Sequence, residues 1–487
     1  MDKDLKKLQP AALWSHFAEI CNIPRPSHHE EKIREYVINF AKTHHLDYTV
    51  DEGPNVIIRK PATPGMENRR TIVLQAHLDM VPQKNSDKEF DFEKDPIEAY
   101  IDGEWVTANG TTLGADNGIG ASTILAVLES KELKHGPIEA LFTATEETGM
   151  DGAFALKPGE LKGDILLNLD SETEGELYVG CAGGLDLTAT MKYDTEKIDK
   201  KEFAGYRLEL KGLKGGHSGM EIILQRGNAN KLLARFLRNY QEKLGIMLCD
   251  IDGGGLRNAI PREAFATVAV MKKNEKAFLN AVKKFEKLYI DEYKGIEDSL
   301  SFRAVPATLP AKAINFFDQA NLVDAVYACP NGVVRMSTAM PGLVQTSSNL
   351  SRVVSERGSF KIQCLLRSSM NSEKEDLALT MRTVFELTGA TVKTSGSYDG
   401  WNPNMDSPIL KTMMVGYEKL YGTKPAVMAI HAGLECGIIG GKYPSMDMIS
   451  FGPTIKYPHS PDEKVNIASV EKFWKFLCYT LETAPTK

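Results

Sequence analysis

The chain has 487 residues, of which 42% are hydrophobic and 25% are charged, and its formal net charge is −7. This length exceeds what one hydrophobic core usually organises, so two domains are expected, and the composition is typical of a soluble globular protein. The negative charge and the lack of any basic tract argue against a nucleic-acid partner, which would need a basic face to neutralise phosphates.

The sequence carries no pattern for export, membrane insertion or a disulfide framework. The N-terminus has no apolar signal segment, and no apolar run approaches the roughly 18 residues that a membrane span needs. The seven cysteines are scattered, odd in number and form no C-x-x-C pair, which favours reduced thiols over disulfides or a sulfur-ligated zinc. We therefore expect a cytoplasmic protein without a membrane partner.

Helical and strand patterns alternate early in the chain. The spacing of apolar residues predicts a helix over 32–42 and a strand over 55–58. Residues 71–76 are apolar almost without interruption, as central strands of α/β sheets are, and they run directly into His77. A charged interval then leads to a predicted hairpin with its turn at 102–103.

Two further predicted strands end in acidic side chains. The strand over 139–145 is followed by Glu146 and Glu147, and the strand over 164–169 is followed by Asp170. Binding sites of open α/β sheets lie beyond the carboxyl ends of the strands. We therefore expect these carboxylates to converge with the imidazole that follows the earlier strand.

The middle of the chain differs in character from its two ends. Over 185–393, predicted strands such as 206–211 alternate with helices such as 228–241, which is typical of an α+β domain. The predicted fold class is therefore α/β, with a mixed-sheet domain formed by 1–184 and 394–487. The α+β domain is inserted into it.

A His-x-Asp triplet on its own is usually a surface pair without a special role. At the end of a strand, however, His77 and Asp79 point to the same side of the extended backbone. One residue can then bind a metal ion while the other accepts the second imidazole N–H and raises the basicity of the ligand. We assign His77 to the metal and Asp79 to the orienting role.

Adjacent glutamates are most often a solvated acidic patch. After an apolar strand, Glu146 and Glu147 instead place two carboxylates near one spot, where a cation would relieve their repulsion. One can be a metal ligand while the other takes a proton from metal-bound water, whose pKa falls to about 7 on zinc. We assign Glu147 to the metal and Glu146 to the general base.

Asp116 lies in a glycine-rich turn, where an aspartate commonly caps the helix that follows. A carboxylate that bridges two ions must present both oxygens, which would move the capping role to Asn117. Neighbouring glycines permit such tight geometry. The run 114–120 lacks the G-x-G-x-x-G order and the Gly-Lys-Ser/Thr ending of phosphate-binding loops, so we reject a nucleotide site.

Two histidines stand in predicted loops. His459 precedes Ser460, and a lone loop histidine is more often an incidental surface residue. His217 lies between glycines over 215–219, which suggests a backbone shaped to present it, with a simple turn histidine as the alternative. The other histidines have no acidic framework and are interpreted as solvated.

Taken in order, these motifs resemble the aminoacylase/carnosinase-like family of co-catalytic zinc peptidases. The resemblance extends over nearly the whole chain, and the ordered set of motifs is specific. The segments that carry it are Ala76-His77-Leu78-Asp79, Gly114-Ala115-Asp116-Asn117-Gly118, Glu146-Glu147-Thr148-Gly149, Leu169-Asp170, Gly216-His217-Ser218-Gly219 and His459-Ser460.

The resemblance implies a metal-dependent dipeptidase of broad specificity, including Xaa-His substrates of the β-alanyl-histidine type. It implies two Zn²⁺ ions bridged by a hydroxide, with Mn²⁺ or Co²⁺ as alternative working ions. Asp79 would orient a ligand, and Glu146 would be the general base. Asp116 would bridge the ions, and each ion would gain a further ligand pair: His77 and Asp170 for one, Glu147 and His459 for the other.

The resemblance also implies a role for the inserted domain. This domain would be a lid whose His217 helps to stabilise the oxyanion. The dipeptide would be gripped by three residues that match by local pattern only: Asn258, Arg367 and Gly433. The sequence is compatible with a monomer and with a homodimer that forms through the lid domain. It is likewise compatible with an open and with a closed position of the lid.

Three other functions are compatible with these residues. One is N-acyl amino acid deacylation on the same scaffold. A second is two-metal hydrolysis of phosphoesters, although no Arg/Lys cluster for phosphate is found in the sequence. The third is a non-catalytic metal-binding module, against which the intact Glu146 argues.

Overall fold

The computed structural model describes residues 4–487. Met1 to Lys3, the first residues of the segment in which no export signal was found, lie outside the described residues. The fold divides into two compact units. The first unit comprises Met1–Cys181, Trp401–Ala429 and Leu434–Lys487, and the second comprises Ala182–Gly400 and Ile430–Gly433. The sequence placed these boundaries at 184/185 and 393/394, and the lid role of the second unit stays a prediction.

The first unit begins with a 3-10 turn at Leu5–Lys7. Its N-terminal elements are, in chain order, α1 (Ala11–Cys21), α2 (Glu31–Thr43), β1 (Asp47–Val50), β2 (Val56–Lys60), β3 (Ile72–His77), β4 (Ala99–Asp102), β5 (Trp105–Ala108), α3 (Ala115–Glu129), β6 (Ile138–Thr143), α4 (Asp151–Ala155), β7 (Ile165–Asn168) and β8 (Glu176–Cys181).

The second unit follows, and the chain then returns to the first. The second unit contains β9 (Gly183–Lys192), β10 (Thr195–Lys197), β11 (Phe203–Lys211), α5 (Ala229–Leu244), β12 (Ile246–Gly254), β13 (Ala264–Met271), α6 (Glu275–Glu292), β14 (Ser301–Pro306), β15 (Lys312–Ile314), α7 (Phe316–Ala328), β16 (Gly332–Met336), β17 (Val344–Glu356), β18 (Ser359–Ser368), α8 (Asn371–Leu387) and β19 (Thr391–Tyr398). The remaining elements are α9 (Pro408–Tyr421), β20 (Ala426–Ile430), α10 (Glu435–Lys442), β21 (Asp447–Ser450), β22 (Ile455–Lys456), β23 (Lys464–Asn466) and α11 (Ile467–Thr483).

The main sheet of the first unit has eight strands in the order β1-β2-β6-β3-β7-β21-β8-β20. Strands β6, β3 and β7 are parallel neighbours and are buried along their whole length, which explains their continuous apolar sequence. Strand β2 runs antiparallel to β6, so the sheet is mixed. The carboxyl ends of the three parallel strands meet at one edge, as the sequence predicts.

A smaller four-stranded sheet brings the C-terminal loop into the first unit. The predicted hairpin forms from β4 and β5, and Gly103 at its turn has a φ of 58°, a left-handed conformation that glycine adopts easily. Strand β23 pairs with β5 and β22 pairs with β23. The loop between β22 and β23 carries His459, so the pairing fixes both ends of that loop.

The second unit is built on an antiparallel sheet with strands in the order β14-β11-β13-β12-β17-β18-β9-β19, and β16 pairs with β17. Helices α5, α6, α7 and α8 share one apolar cluster with these strands. Its centre is aromatic, with Phe236 in edge contact with Phe285 and Phe302. A sheet covered by helices in this way is an α+β arrangement, which confirms the predicted fold class.

Two further expectations concern membrane-spanning helices and the state of the thiols. Within residues 4–487, none of the helices has the length and hydrophobicity needed to cross a bilayer. All seven cysteines are free thiols, and five of them are buried. These cysteines therefore act mainly as small apolar side chains in the packing.

Candidate metal centre and substrate-binding residues

Five side chains from five segments of the first unit converge beyond the carboxyl ends of the parallel strands. His77 Nε2 lies 3.0 Å from Asp116 Oδ1 and 3.4 Å from Asp170 Oδ1. His459 Nε2 lies 3.1 Å from Asp116 Oδ2 and 3.0 Å from Glu147 Oε2. Each carboxylate oxygen of Asp116 therefore faces a different histidine, so that two groups of ligands share this residue.

The spacing and chemistry of these groups fit metal ions. One potential ligand atom from each of His77, Asp116 and Asp170 lies within 4.8 Å of the others, and the same holds for Asp116, Glu147 and His459. A tetrahedral ion with ligands at about 2.0–2.1 Å would hold its ligand atoms about 3.3 Å apart, close to the distances found here. In addition, Glu147 Oε1 is buried without a hydrogen-bond partner, as is expected of a ligand atom.

The electrostatics of the cluster also favour a positive charge. Hydrogen bonds to Asp116 and Glu147 raise the pKa of His459 to about 11. Burial raises the pKa of Asp170 to about 6. Carboxylates brought together in this way stabilise either a protonated imidazole or a bound cation, and a cation would displace the proton from its ligands.

Asp79 contacts both His77, from one group of ligands, and the backbone of Glu147, from the other. It is fully buried, and its carboxylate lies 3.3 Å from His77 Nδ1. The same carboxylate accepts hydrogen bonds from the amides of Glu146 and Glu147, at 2.9 and 3.2 Å, and from the Ser27 hydroxyl. Burial alone would raise the pKa of Asp79, but its hydrogen bonds with His77, Ser27 and the Glu146 amide outweigh burial and lower the pKa to about 2.

Glu146 stands in a turn of unusual backbone conformation. Thr145 before it has a φ of 55°, a left-handed conformation that is rare for residues with a β carbon. The amide and hydroxyl of Thr145 both donate to buried Glu30, at 3.0 and 2.8 Å, which holds the turn. Burial raises the pKa of Glu146 well above its ordinary value. Glu146 also lies close enough to His77 and Glu147 to count among potential ligands.

The capping role expected of Asn117 stays a prediction. Helix α3 spans Ala115–Glu129, but the backbone dihedral angles of Asp116 and Asn117 are not helical, so the regular part of the helix follows Asn117. The side-chain amide of Asn117 donates from Nδ2 to Asp170 Oδ1, and the Asp116–Asn117 peptide bond is cis. The amide therefore orients a candidate ligand that follows β7, a contact that no local sequence pattern could indicate.

Glu463 is a buried residue that was not predicted from the sequence. It is 1% exposed and accepts hydrogen bonds from the backbone amides of Leu113, Gly114 and Asp116, at 2.8, 2.9 and 3.2 Å. It thereby joins the Asp116 turn to the loop that carries His459. Its place four residues after that histidine was the only signal available in the sequence.

Arg25 is a second missed residue and acts on the same turn. Its guanidinium is buried and donates to the carbonyls of Leu78 and Asp79 at 2.9 and 2.7 Å, and to the Gly114 carbonyl at 2.5 Å. A Cβ at Gly114 would lie 2.5 Å from Arg25 Nη2, so a glycine is required there. The Arg25 guanidinium therefore connects the segment that follows His77 with the turn that carries Asp116.

We expect Glu463→Gln to lower the free energy of unfolding by about 2–4 kcal/mol, because an amide NH₂ group would face backbone N–H donors that then lose their acceptor. Urea unfolding of the two proteins measures this difference. Exposed Glu89 offers a matched control, and Glu89→Gln should change stability by less than about 0.5 kcal/mol. Equal stability of the Glu463 variant and wild type would contradict the anchoring role.

In the second unit, His217 is presented as a neutral hydrogen-bond donor. Its Nδ1 accepts from the amides of Gly219 and Met220, at 3.3 and 3.1 Å, which leaves the proton on Nε2. Its own amide donates to Glu221 at 2.7 Å. Burial, together with the positive charge of Arg367, lowers the pKa of His217.

Arg367 and Gly433 lie near this histidine in the same unit. A Cβ at Gly219 would be 3.0 Å from His217 Cε1 and 3.3 Å from Arg367 Nε, so both side chains border one turn. Arg367 is 6% exposed, and its Nε is buried without a partner. Gly433 is placed beside Tyr398, since a Cβ there would lie 2.8 Å from the tyrosine oxygen.

Asn258 completes the set in the second unit. Its carbonyl accepts a hydrogen bond from the Ser218 amide at 2.8 Å, and its side chain is exposed. The Ser218 hydroxyl, by contrast, is buried without a partner. The four predicted residues that the structure places in the second unit therefore lie near one another, and their roles toward substrate stay predictions.

The carboxyl edge of an α/β sheet that gathers two imidazoles and several carboxylates is typical of a metal-dependent hydrolase. Comparison with known families narrows this class. The chain belongs to peptidase family M20/M25/M40, whose profile matches residues 73–483. It is therefore a peptide-bond hydrolase, and the family resemblance noted in the sequence is confirmed.

Individual relatives agree with this family. The chain is 47% identical to the cytosol non-specific dipeptidase of Escherichia coli over 99% of its own length and 100% of the relative. Its fold matches the aminoacylhistidine dipeptidase of Vibrio alginolyticus with a TM-score of 0.95 and 50% identity, covering 99% and 98% of the two chains. The aminopeptidase PepT of Bacillus cereus shares the fold at a TM-score of 0.62 and 16% identity, covering 98% and 99% of the chains.

Proposed function

We propose that this chain is a cytoplasmic, metal-dependent dipeptidase of broad specificity that accepts Xaa-His substrates of the β-alanyl-histidine type. The observation that carries the proposal is Asp116, whose two carboxylate oxygens face two different histidines. The near full-length likeness to a cytosol non-specific dipeptidase and to an aminoacylhistidine dipeptidase supports the substrate class and the location.

We infer that the chain holds two Zn²⁺ ions, with Mn²⁺ or Co²⁺ as alternatives, since sites rich in carboxylates accept several ions. His77, Asp116 and Asp170 would hold one ion, and Asp116, Glu147 and His459 would hold the other. When bound, such ions polarise the scissile carbonyl and acidify the attacking water.

The residues around the ligands supply the proton transfers. Glu146 takes the proton of the attacking water and passes it to the leaving amine. Burial, which raises its pKa, keeps the acid form accessible for the second of these steps. Asp79 fixes the orientation of both His77 and the Glu146 backbone, so that base and ligand keep a constant geometry.

The second unit is proposed to act as a lid that recognises the dipeptide. His217, with its proton on Nε2, would donate to the developing oxyanion, an interaction worth about 3–4 kcal/mol for a well-placed donor. Arg367 would bind the terminal carboxylate bidentately, with Asn258 and Gly433 beside it. Because the arginine would bind a C-terminal carboxylate only one residue beyond the scissile bond, dipeptides would be favoured over longer peptides.

Homodimerisation through the second unit is part of the proposal. Phe317 and Leu256 of that unit are 73% and 74% exposed, and burial of such apolar side chains against a partner would stabilise a dimer. Sedimentation velocity distinguishes the dimer from a monomer.

A substrate panel combined with metal quantification tests the function. We expect about two divalent ions per chain and rapid hydrolysis of β-alanyl-histidine and other dipeptides, but slow hydrolysis of N-acetyl amino acids and dipeptide amides. A preference for N-acyl amino acids would indicate a deacylase instead. Activity on nitrophenyl phosphate would indicate a phosphoesterase, and no turnover by a metal-replete chain would indicate a binding module.

A further inference from the structure

Three neighbouring strands of the second unit place Arg367, Gly184 and Tyr398 in one row across the sheet. Gly184 on β9 pairs with Arg367 on β18 at one side and with Tyr398 on β19 at the other. Residues directly opposite each other in antiparallel strands project from the same face. The side chains of Arg367 and Tyr398 therefore share a face, with a glycine between them.

The glycine allows the two outer side chains to meet. Adjacent strands are about 4.8 Å apart, so residues two strands apart are separated by about 10 Å. The Tyr398 ring lies across Gly184, because a Cβ there would be 2.5 Å from Tyr398 Cε1 and 2.8 Å from its oxygen. The hydroxyl thus reaches Arg367, whose Nη1 donates to it at 3.3 Å.

Other contacts confine Tyr398 in this orientation. A register shift between Ser395 and Tyr398 alters the local direction of β19 just before the tyrosine. The Tyr398 carbonyl accepts a hydrogen bond from the ammonium of Lys374, which is 2% exposed. At the far side of the ring, a Cβ at Gly433 would lie 3.1 Å from Tyr398 Cε2. Two glycines therefore leave room for the ring, and a buried lysine anchors its backbone.

We propose that Tyr398 is a positioning residue for Arg367 and thereby sets the selectivity for substrates with a free C-terminal carboxylate. The proposal rests on the proposed function, in which Arg367 binds that carboxylate. An arginine side chain loses much rotamer freedom when it binds a ligand, and a guanidinium already oriented by Tyr398 loses less. Gly184 is needed for the same arrangement, because any larger residue there would displace the Tyr398 ring.

The test compares a dipeptide with the same dipeptide amidated at its C-terminus, using the full-length, metal-loaded chain. We expect wild type to prefer the acid strongly, as a ratio of the two kcat/KM values. Tyr398→Phe should reduce this ratio roughly 3- to 10-fold, the effect of one hydrogen bond, mainly through a higher KM for the acid. Gly184→Ala, which displaces the ring, should reduce it in the same direction.

A matched control removes a tyrosine hydroxyl elsewhere in the same sheet. Tyr206 donates to Glu275, and Tyr206→Phe should leave the acid-to-amide ratio at its wild-type value. In an Arg367→Met background, which has no cation for the hydroxyl to orient, Tyr398→Phe should cause no further loss of the ratio. Where Gly184→Ala fails to fold, Tyr398→Phe alone decides, since it keeps the ring.

The outcomes separate this inference from the proposed function. If wild type cleaves acid and amide equally well, the role of Arg367 is wrong and the inference is overturned with it. If wild type discriminates and Tyr398→Phe discriminates just as strongly, only the positioning role is overturned. A further loss in the Arg367→Met background would also overturn it, because Tyr398 would then act independently of the side chain at 367.

Discussion

Replacing Glu146 by alanine is expected to lower kcat by about 10²- to 10⁴-fold while the metal content of the chain stays unchanged, since this is the usual contribution of a general base. The carboxylate has no oxygen committed to a histidine, in contrast to Asp116 and Glu147, whose oxygens lie 3.0–3.1 Å from an imidazole nitrogen. Its removal should therefore affect proton transfer and not metal binding.

The measurement pairs steady-state kinetics on a dipeptide with elemental analysis of the same sample. Glu146→Gln should behave like the alanine variant, because an amide cannot accept the proton. Exposed Glu132 provides a control, and Glu132→Gln should retain wild-type kcat. Wild-type turnover by a metal-replete Glu146 variant would refute the role of general base. Loss of metal would instead assign Glu146 to the ligand set with His77 and Glu147, a grouping that the structure also contains.

Asp116→Ala is expected to remove both ions and to reduce turnover to background. The reason is that its Oδ1 and Oδ2 face His77 and His459 respectively, so that no other side chain belongs to both groups. By contrast, Asp170→Ala and Glu147→Ala each remove one ligand from one group. Each of these variants should therefore lose chiefly one ion.

Metal content after dialysis against a weak chelator checks this expectation, because it reports binding independently of activity. The thermal midpoint of each metal-free variant shows whether the fold is intact. Asp87 is exposed, and Asp87→Ala should keep wild-type metal content. An Asp116 variant that still holds one ion at full occupancy would show that the aspartate does not bridge.

The parallel strands could be predicted from the sequence because their signal is local. Residues 71–76, 139–145 and 164–169 are largely apolar segments of strand length, as fully buried strands are, and the structure places them side by side as β3, β6 and β7. Because binding sites lie at the carboxyl ends of such strands, the sequence also predicted that His77 and Asp170 lie close together.

The supports of the centre could not be predicted in this way. Glu463 accepts from amides almost 350 positions earlier in the chain, and Arg25 donates to a carbonyl 89 positions away. Neither residue has a local pattern that distinguishes it from an ordinary surface charge. The contact between the Asn117 amide and Asp170 could not be predicted for the same reason, because a capping rule considers only the next turn of helix, whereas Asp170 follows strand β7.

The row formed by Arg367, Gly184 and Tyr398 illustrates the same limit. The family pattern pointed to Arg367, but not to its tyrosine, because their contact depends on the register of three strands and on a bulge. A shift of one residue in either pairing would turn the side chains to opposite faces.

The amino-acid sequence by itself determined the fold class, the buried strands and the identities of the side chains that follow them, because hydrophobic periodicity and motif order are properties of neighbouring residues. Only the tertiary structure decided which oxygen of Asp116 faces which histidine, and what holds its turn in place. These contacts join distant segments, and their geometry is set by strand register and buried hydrogen bonds, which no local pattern encodes.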